Sequence, residues 1–319
     1  MRYPALLRPL LLASAVAAVA AVAVFAASAP STESLTGVID FHCHSSPDTV
    51  GRSLNSFEVV RQARAAGMRG VVLKNHFLST AALAQLAMQE VGGIEVFGGV
   101  VLNRSAGGIN AEAVRRMTQV EGHRGKIVWL PTFDAENQVR FSHEDRPFVP
   151  VVKDGQPVPA LAEIFQLAAE NDLIFATGHS SAAESLILLE AAQRAGVKRL
   201  LVTHALSDST RATTEQMKRM TALGAVMEFT WLAHLGGVSG PVATTRASPA
   251  VPVADAARAI HAVGAEHFLI SSDLGQANNP VHTAGLRAFI AALRAEGVTD
   301  RELDLIARQN PARLLGLDR

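Results

Sequence analysis

The sequence predicts a (β/α)8 barrel, and three observations carry that expectation. Short apolar runs rich in β-branched residues alternate with Ala-rich amphipathic stretches. Between Gly37 and Gln309 the alternation repeats eight times, the count that closes such a barrel at a typical length. The runs are apolar throughout rather than at every second residue, which marks parallel strands covered by helices. No Gly-x-Gly-x-x-Gly follows any run, as it would in a dinucleotide-binding open sheet, and eight units would be many for an open sheet.

Each element has its own local reason. The first strand is expected at residues 38–42, within Gly37-Val-Ile-Asp-Phe-His-Cys-His44, and the chain then breaks into Ser45-Ser-Pro-Asp48. Residues two apart in a strand share a face, so His42 and His44 project together and Cys43 projects the other way. A helix at 54–66 is stopped by Gly67. The second strand, 70–76, ends in Lys74-Asn75-His76 and leads to a helix at 80–90. The third strand, 95–102, precedes a helix at 110–119, and the fourth runs over 126–131. Residues 132–159 read as an irregular section with a hairpin turn at Asp154-Gly155. A helix at 160–170 leads to the fifth strand, 173–177, which ends in Gly178-His179. Ser181 with Glu184 three residues on is a capping-box signature for the next helix. The sixth strand, 199–203, ends in His204, and a helix at 214–223 follows. The seventh strand, 225–230, opens into a Gly/Ser/Pro-rich loop reaching Pro252, then a helix at 254–263. The eighth strand, 268–272, ends in Asp273, and helices at 280–296 and 300–309 close the chain.

Composition removes some functions. Lys and Arg total 29 and Asp and Glu total 29, so the basic excess of a nucleic-acid-binding protein is missing. The single cysteine, Cys43, excludes an internal disulfide. At the N-terminus Arg2 and Arg8 precede an uncharged run over 10–29 that ends in Ala27-Ser-Ala29, the pattern of a secretory signal. Pro30 disfavours cleavage directly after Ala29. Uncleaved, about 20 apolar residues are long enough to span a bilayer. Residues 1–33 are therefore assigned to a signal peptide or N-terminal membrane anchor, and residues 34–319 to the barrel. The mature protein is expected outside the cytoplasm, periplasmic or secreted. The sequence sets no oligomeric state.

The polar residues that carry chemistry are not scattered. His42, His44, Lys74, His76, His179, His204 and Asp273 fall at or just beyond the C-terminal ends of expected strands. In a (β/α)8 barrel those ends meet at one face. Neutral imidazoles and a carboxylate suit zinc and related divalent ions, and such an ion lowers the pKa of a water toward 7. A nearby carboxylate can take that proton and pass it to a leaving group. One histidine at a strand end is ordinarily a satisfied surface residue. Four, with an aspartate, at barrel-consistent spacing are not.

The ordered set His42-x-His44, His179, His204 and Asp273 resembles the metal-dependent amidohydrolase superfamily over the whole chain beyond the leader. The tail Asn310-Pro-Ala-Arg-Leu-Leu-Gly316 is similar to the helix that often ends such enzymes. The resemblance implies that His42, His44 and His179 are metal ligands and that Asp273 is both a ligand and the general base. It implies for His204 either a second-metal ligand or a group polarising the substrate. The implied cofactor is one or two divalent ions, zinc first, with manganese or iron as alternatives. Two-metal members commonly bridge their ions with a carboxylated lysine on the fourth strand, but here that strand ends Trp129-Leu-Pro-Thr-Phe-Asp134. Lys74 on the second strand is the substitute candidate, as bridging ligand, electrophile for a substrate oxygen or clamp for a substrate carboxylate. Bridging is preferred, because His204 would otherwise have no obvious partner.

The expected function is a metal-dependent hydrolase acting on an amide, ester, lactone or related bond of a small-molecule substrate. A decarboxylating lyase of the same fold and a non-catalytic extracytoplasmic binding barrel are the alternatives. Asp273 counts against the last, since binding alone needs no base. Cys43 reads as core, Glu228 as a supporting group, and Gln276 and Asn278 as part of a substrate loop. His123, His143, His234, His261, His267 and His282 read mostly as surface. The tracts 132–159 and 233–252 are long enough to shape a pocket.

Overall fold

The structure is a computed structural model that describes residues 33–236 and 248–317. The expected leader, save its last residue, and the centre of the loop at 233–252 lie outside the described residues.

Eight parallel strands form the barrel: β1 (Ile39–His44), β2 (Gly70–Lys74), β3 (Glu95–Val101), β4 (Gly125–Trp129), β5 (Ile174–Ala176), β6 (Arg199–Val202), β7 (Ala225–Thr230) and β8 (Phe268–Ser271), paired in that order. Residues just past β8 close the remaining seam. Cys43 bridges Leu274 in parallel, the Asp273 N–H donates to His42 O at 2.8 Å, and the His44 N–H donates to Leu274 O at 2.8 Å. The Ser272 N–H and hydroxyl reinforce the seam by donating to the two Asp40 oxygens at 2.9 and 2.6 Å.

β1 is irregular where it matters. Asp40 opposes Val71 of β2 and Cys43 opposes Leu73, so three steps along β1 match two along β2. This is a bulge. Ile39 and Phe41 fill the barrel interior with Val72, Ile127, Trp129 and Leu201. Val38 and Cys43 instead pack in the layer between strands and helices. The bulge falls between Asp40 and Cys43, and His42 and His44 still meet on one side while Cys43 packs on the other, so their expected parity survives.

The helices are α1 (Ser56–Ala65), α2 (Ala81–Val91), α3 (Ala111–Gln119), α4 (Glu136–Phe141), α5 (Leu161–Glu170), α6 (Ala182–Arg194), α7 (Thr214–Ala222), α8 (Trp231–Leu235), α9 (Val253–Val263), α10 (His282–Ala295), α11 (Asp300–Asp304) and α12 (Asn310–Leu315). Capping boxes start α1 at Asn55/Glu58 and α6 at Ser181/Glu184, each cap contributing about 1 kcal/mol. The expected turn at Asp154-Gly155 joins a two-strand hairpin of Val152–Lys153 and Gln156–Pro157.

Three expectations change. The section expected to be irregular contains α4, too short to leave a periodic signal. The expected loop after the seventh strand begins with α8. The expected helix at 300–309 divides into α11 and a π-helical stretch, Leu305–Gln309, which runs on into α12. Pro311 has no N–H to donate to the preceding turn, so the regular ladder is interrupted there. Beyond it Ala312, Leu314 and Leu315 join the cluster that fills the barrel interior.

Candidate metal centre

The strand ends deliver their side chains to one point. His42 Nε2 lies 3.1 Å from His44 Nε2. Asp273 Oδ1 lies 3.0 Å from His42 Nε2 and 3.1 Å from His44 Nε2, and Asp273 Oδ2 is 3.7 Å from His204 Nδ1. The His179 and His204 rings are 5.2 Å apart, and the His44 and His76 rings stack at 4.7 Å. His44, His76, His179, His204 and Asp273 all line one pocket at the C-terminal mouth of the barrel, with Gln276 at its edge. The other predicted loop residue, Asn278, does not line it.

The backbone is bent to aim these groups. His204 and Asp273 follow their strands directly with φ of +51° and +53°, a left-handed conformation that costs a non-glycine residue of order 1–2 kcal/mol. Both turns send the side chain into the mouth instead of along the strand. Gly275 lets the loop after β8 lie against β1, because a Cβ there would sit 2.1 Å from His44 O at φ +138°.

The outward nitrogen of each ring decides which nitrogen is left for a ligand. His42 Nδ1–H donates to Glu228 Oε1 at 3.2 Å, and the Ser271 hydroxyl donates to the same oxygen at 2.8 Å. That fixes the tautomer with a lone pair on Nε2, the atom facing His44 and Asp273. His179 Nδ1–H donates to Gln138 Oε1 at 3.0 Å, which leaves Nε2 as its lone pair. His76 Nδ1 pairs with Thr132 Oγ1 at 2.9 Å. Burial holds His42, His44, His76 and His204 well below the usual imidazole range and His179 down to about 3, so the rings are neutral. Burial pushes Asp273 up to about 8, against the pull of the Lys74 cation.

Lys74 pairs with His44 in the β1–β2 register and is 1% exposed. Its amine makes no hydrogen bond among the described residues and lies 5.2 Å over the Trp129 ring. Burial lowers it to about 8, although the Asp273 and Glu228 carboxylates work the other way. It lies below the pocket wall and is not part of the lining.

Some participants carry no sequence signal strong enough to find them. Gln138 on α4 orients His179 and also accepts from Ser209 Oγ at 2.8 Å. Asn137 donates to His179 O at 2.9 Å and to Ser209 O at 2.6 Å. Asn103 ties the turns after β2, β3 and β4 together, donating to His76 O at 2.9 Å and accepting from the Thr132 N–H at 2.8 Å. For Asn103 the only hint is its polarity just past β3, and Asn137 and Gln138 within α4 carry none. Two histidines expected at the surface are not there. His282 is 2% exposed, and His234 is half-buried against Phe289 with its ring 4.9 Å away.

The donor set fits a divalent ion. His42, His204 and Asp273 offer ligand atoms within 4.8 Å of one another, and His44 Nε2 lies beside them. Neutral nitrogens and one carboxylate at such separations match zinc-type coordination.

Residues 37–228 match a family of unknown function (DUF6282). The chain belongs to that family. No curated protein matches the sequence. Among solved structures, a 2-pyrone-4,6-dicarboxylic acid hydrolase candidate from Pseudomonas putida is similar with a TM-score of 0.56 and 18% identity, covering 89% of this chain and 99% of that one. An amidohydrolase from Pseudomonas aeruginosa gives 0.58 and 11%, covering 88% and 95%. A further 2-pyrone-4,6-dicarboxylic acid hydrolase candidate, from Acinetobacter baumannii with citric acid bound, gives 0.57 and 14%, covering 88% and 100%. At such identities the likeness is one of fold. This DUF6282 chain shares the (β/α)8 barrel fold of these structures.

Proposed function

We propose that the protein is a metal-dependent hydrolase of a small molecule with an amide, ester, lactone or related bond. The observation that carries this reading is the convergence of Asp273 Oδ1, His42 Nε2 and His44 Nε2 within 3.0–3.1 Å beside a pocket. His42, His44, His179 and Asp273 would hold the ion, with His204 as a further ligand or a substrate contact. When bound, a divalent ion supplies Lewis acidity, acidifying a water and polarising an oxygen. Asp273 takes the proton of the attacking water and returns it to the leaving group. His204 faces the same space and, where it does not ligate an ion, would donate a hydrogen bond to the substrate oxygen. Metal-loaded protein tested on panels of lactones, esters, amides and phosphoesters should turn over at least one class. Product analysis separates hydrolysis from decarboxylation, and inactivity on every panel would favour a binding barrel.

Glu228 acts through His42. A carboxylate holding the outer nitrogen of a ligand histidine typically contributes 10–100-fold to metal affinity. Glu228→Gln is therefore expected to weaken zinc binding by about that factor in a competition titration. Unchanged affinity would remove Glu228 from the centre.

For Lys74 the reading is a carboxylated, bridging ligand to a second ion. Its burial without a hydrogen bond supports this, because an anionic end group beside two cations is better placed there than a bare ammonium. Lys74→Ala should lower the metal content from two ions toward one, with partial recovery of activity on adding short carboxylic acids. Full metal content with a raised KM would instead put Lys74 against the substrate.

We also assign residues 1–33 to export. Deleting them should leave the protein in the cytoplasmic fraction while the full chain reaches the periplasm or membrane. A full-length chain found only in the cytosol would contradict this.

A further inference from the structure

A second cluster of donors lies on the opposite side of β1 from the pocket. The bulge turns Asp40 away from the barrel interior to the side of Cys43, and the first residue of α10, His282, meets them. Asp40, Cys43 and His282 are 0%, 0% and 2% exposed, and each offers a ligand atom within 4.8 Å of the others. We propose that Asp40, Cys43 and His282 form a separate zinc-type site that fastens the start of α10 to the seam between β1 and β8.

His282 is the observation that points to an ion. Neither of its ring nitrogens makes a hydrogen bond, although the ring is buried and such groups are normally paired. Its Nδ1 lies 3.4 Å from Asp40 Oδ2 without the alignment of a hydrogen bond. That separation is close to the edge of a tetrahedron with bonds of about 2.0–2.1 Å, the lengths zinc makes to nitrogen and oxygen. Asp40 is already oriented. Its Oδ1 accepts from the N–H groups of His42 at 3.3 Å and Ser272 at 2.9 Å, and Oδ2 accepts from the Ser272 hydroxyl at 2.6 Å. A carboxylate oxygen so engaged retains a lone pair for a cation. The Cys43 sulfur makes weak, long contacts to His44 O at 3.8 Å and Leu274 O at 3.7 Å, and the Ser272 side chain is also within its reach. The mixed nitrogen, sulfur and oxygen set selects zinc or cobalt over magnesium or calcium. On binding, the Cys43 thiol releases its proton to solvent, and the fourth donor is water or the Ser272 hydroxyl. No redox change is involved.

This site does not depend on the hydrolase reading, and sulfur separates the two. The proposed catalytic donors include no thiolate. The protein, stripped and reconstituted with cobalt(II), should therefore show a near-ultraviolet thiolate-to-cobalt charge-transfer band that reports on this site alone. Cys43→Ala and His282→Ala should each abolish that band. Each should lower the cobalt content by one ion per chain, leave the visible d–d bands of the other centre in place and keep hydrolysis within about twofold. A fully loaded wild-type protein without the band overturns the proposal and needs no variant to fold. Full band intensity in His282→Ala overturns it too.

Discussion

An Asp273→Asn variant is expected to fold and to lose about 1000-fold in kcat/KM, within the range that a positioned acid–base group contributes. Asparagine keeps the shape of the side chain and tolerates the left-handed backbone at φ +53°, whereas alanine would add strain there. It cannot take a proton from water. If the amide nitrogen takes the place of Oδ1, which faces the His42 and His44 ring nitrogens at 3.0 and 3.1 Å, it can only donate to their lone pairs and has none of its own to offer an ion. The check is steady-state kinetics on whichever substrate class the panels identify, beside a thermal unfolding curve. A melting temperature near that of the wild type with a rate within a factor of about five would deny Asp273 the role of base.

His42→Ala and His179→Ala are each expected to lower metal affinity by more than about 100-fold, since even an outer-shell partner of a ligand contributes 10–100-fold. Loss of His42 also strands Glu228, whose Oε1 then keeps only the Ser271 hydroxyl. Acid should have the same effect as these substitutions. Imidazoles ligate only when neutral, and in the metal-free fold burial holds all five site histidines below their ordinary range. A lowered folded-state pKa means the unfolded chain binds more protons as the pH drops below about 6.5. The contribution of these rings to stability is thus complete above that pH and is lost progressively below it. Metal retention and melting temperature should fall together on acidification. Variants that keep tight binding would place the ion elsewhere.

The parts legible in the sequence were those set by periodicity and by strand ends. Eight strand–helix units place His42, His44, Lys74, His179, His204 and Asp273 at one mouth without any contact being known. The His42/Cys43/His44 parity is readable because the bulge between Asp40 and Cys43 leaves the two histidines on a common side. The same bulge hid Asp40, which simple alternation would send inward with the histidines. His282 was misread because the first residue of a surface helix is usually exposed, yet here that turn is covered at the β1–β8 seam. Gln138 and Asn137 were out of reach because α4 is six residues long, well below the window of about 11–18 residues over which an amphipathic pattern is read. The left-handed turns at His204 and Asp273 leave no mark either, since neither residue is glycine.

The metal content of the purified wild-type protein tests the central claim most directly. Full-length protein produced with zinc, manganese or iron supplied, then dialysed at neutral pH, should retain at least one ion per chain by mass spectrometry of the elements. A chelator strong enough to remove that ion should abolish hydrolysis, and re-addition should restore it. A fully folded protein that holds no divalent ion, or whose turnover is indifferent to chelation, would contradict the account.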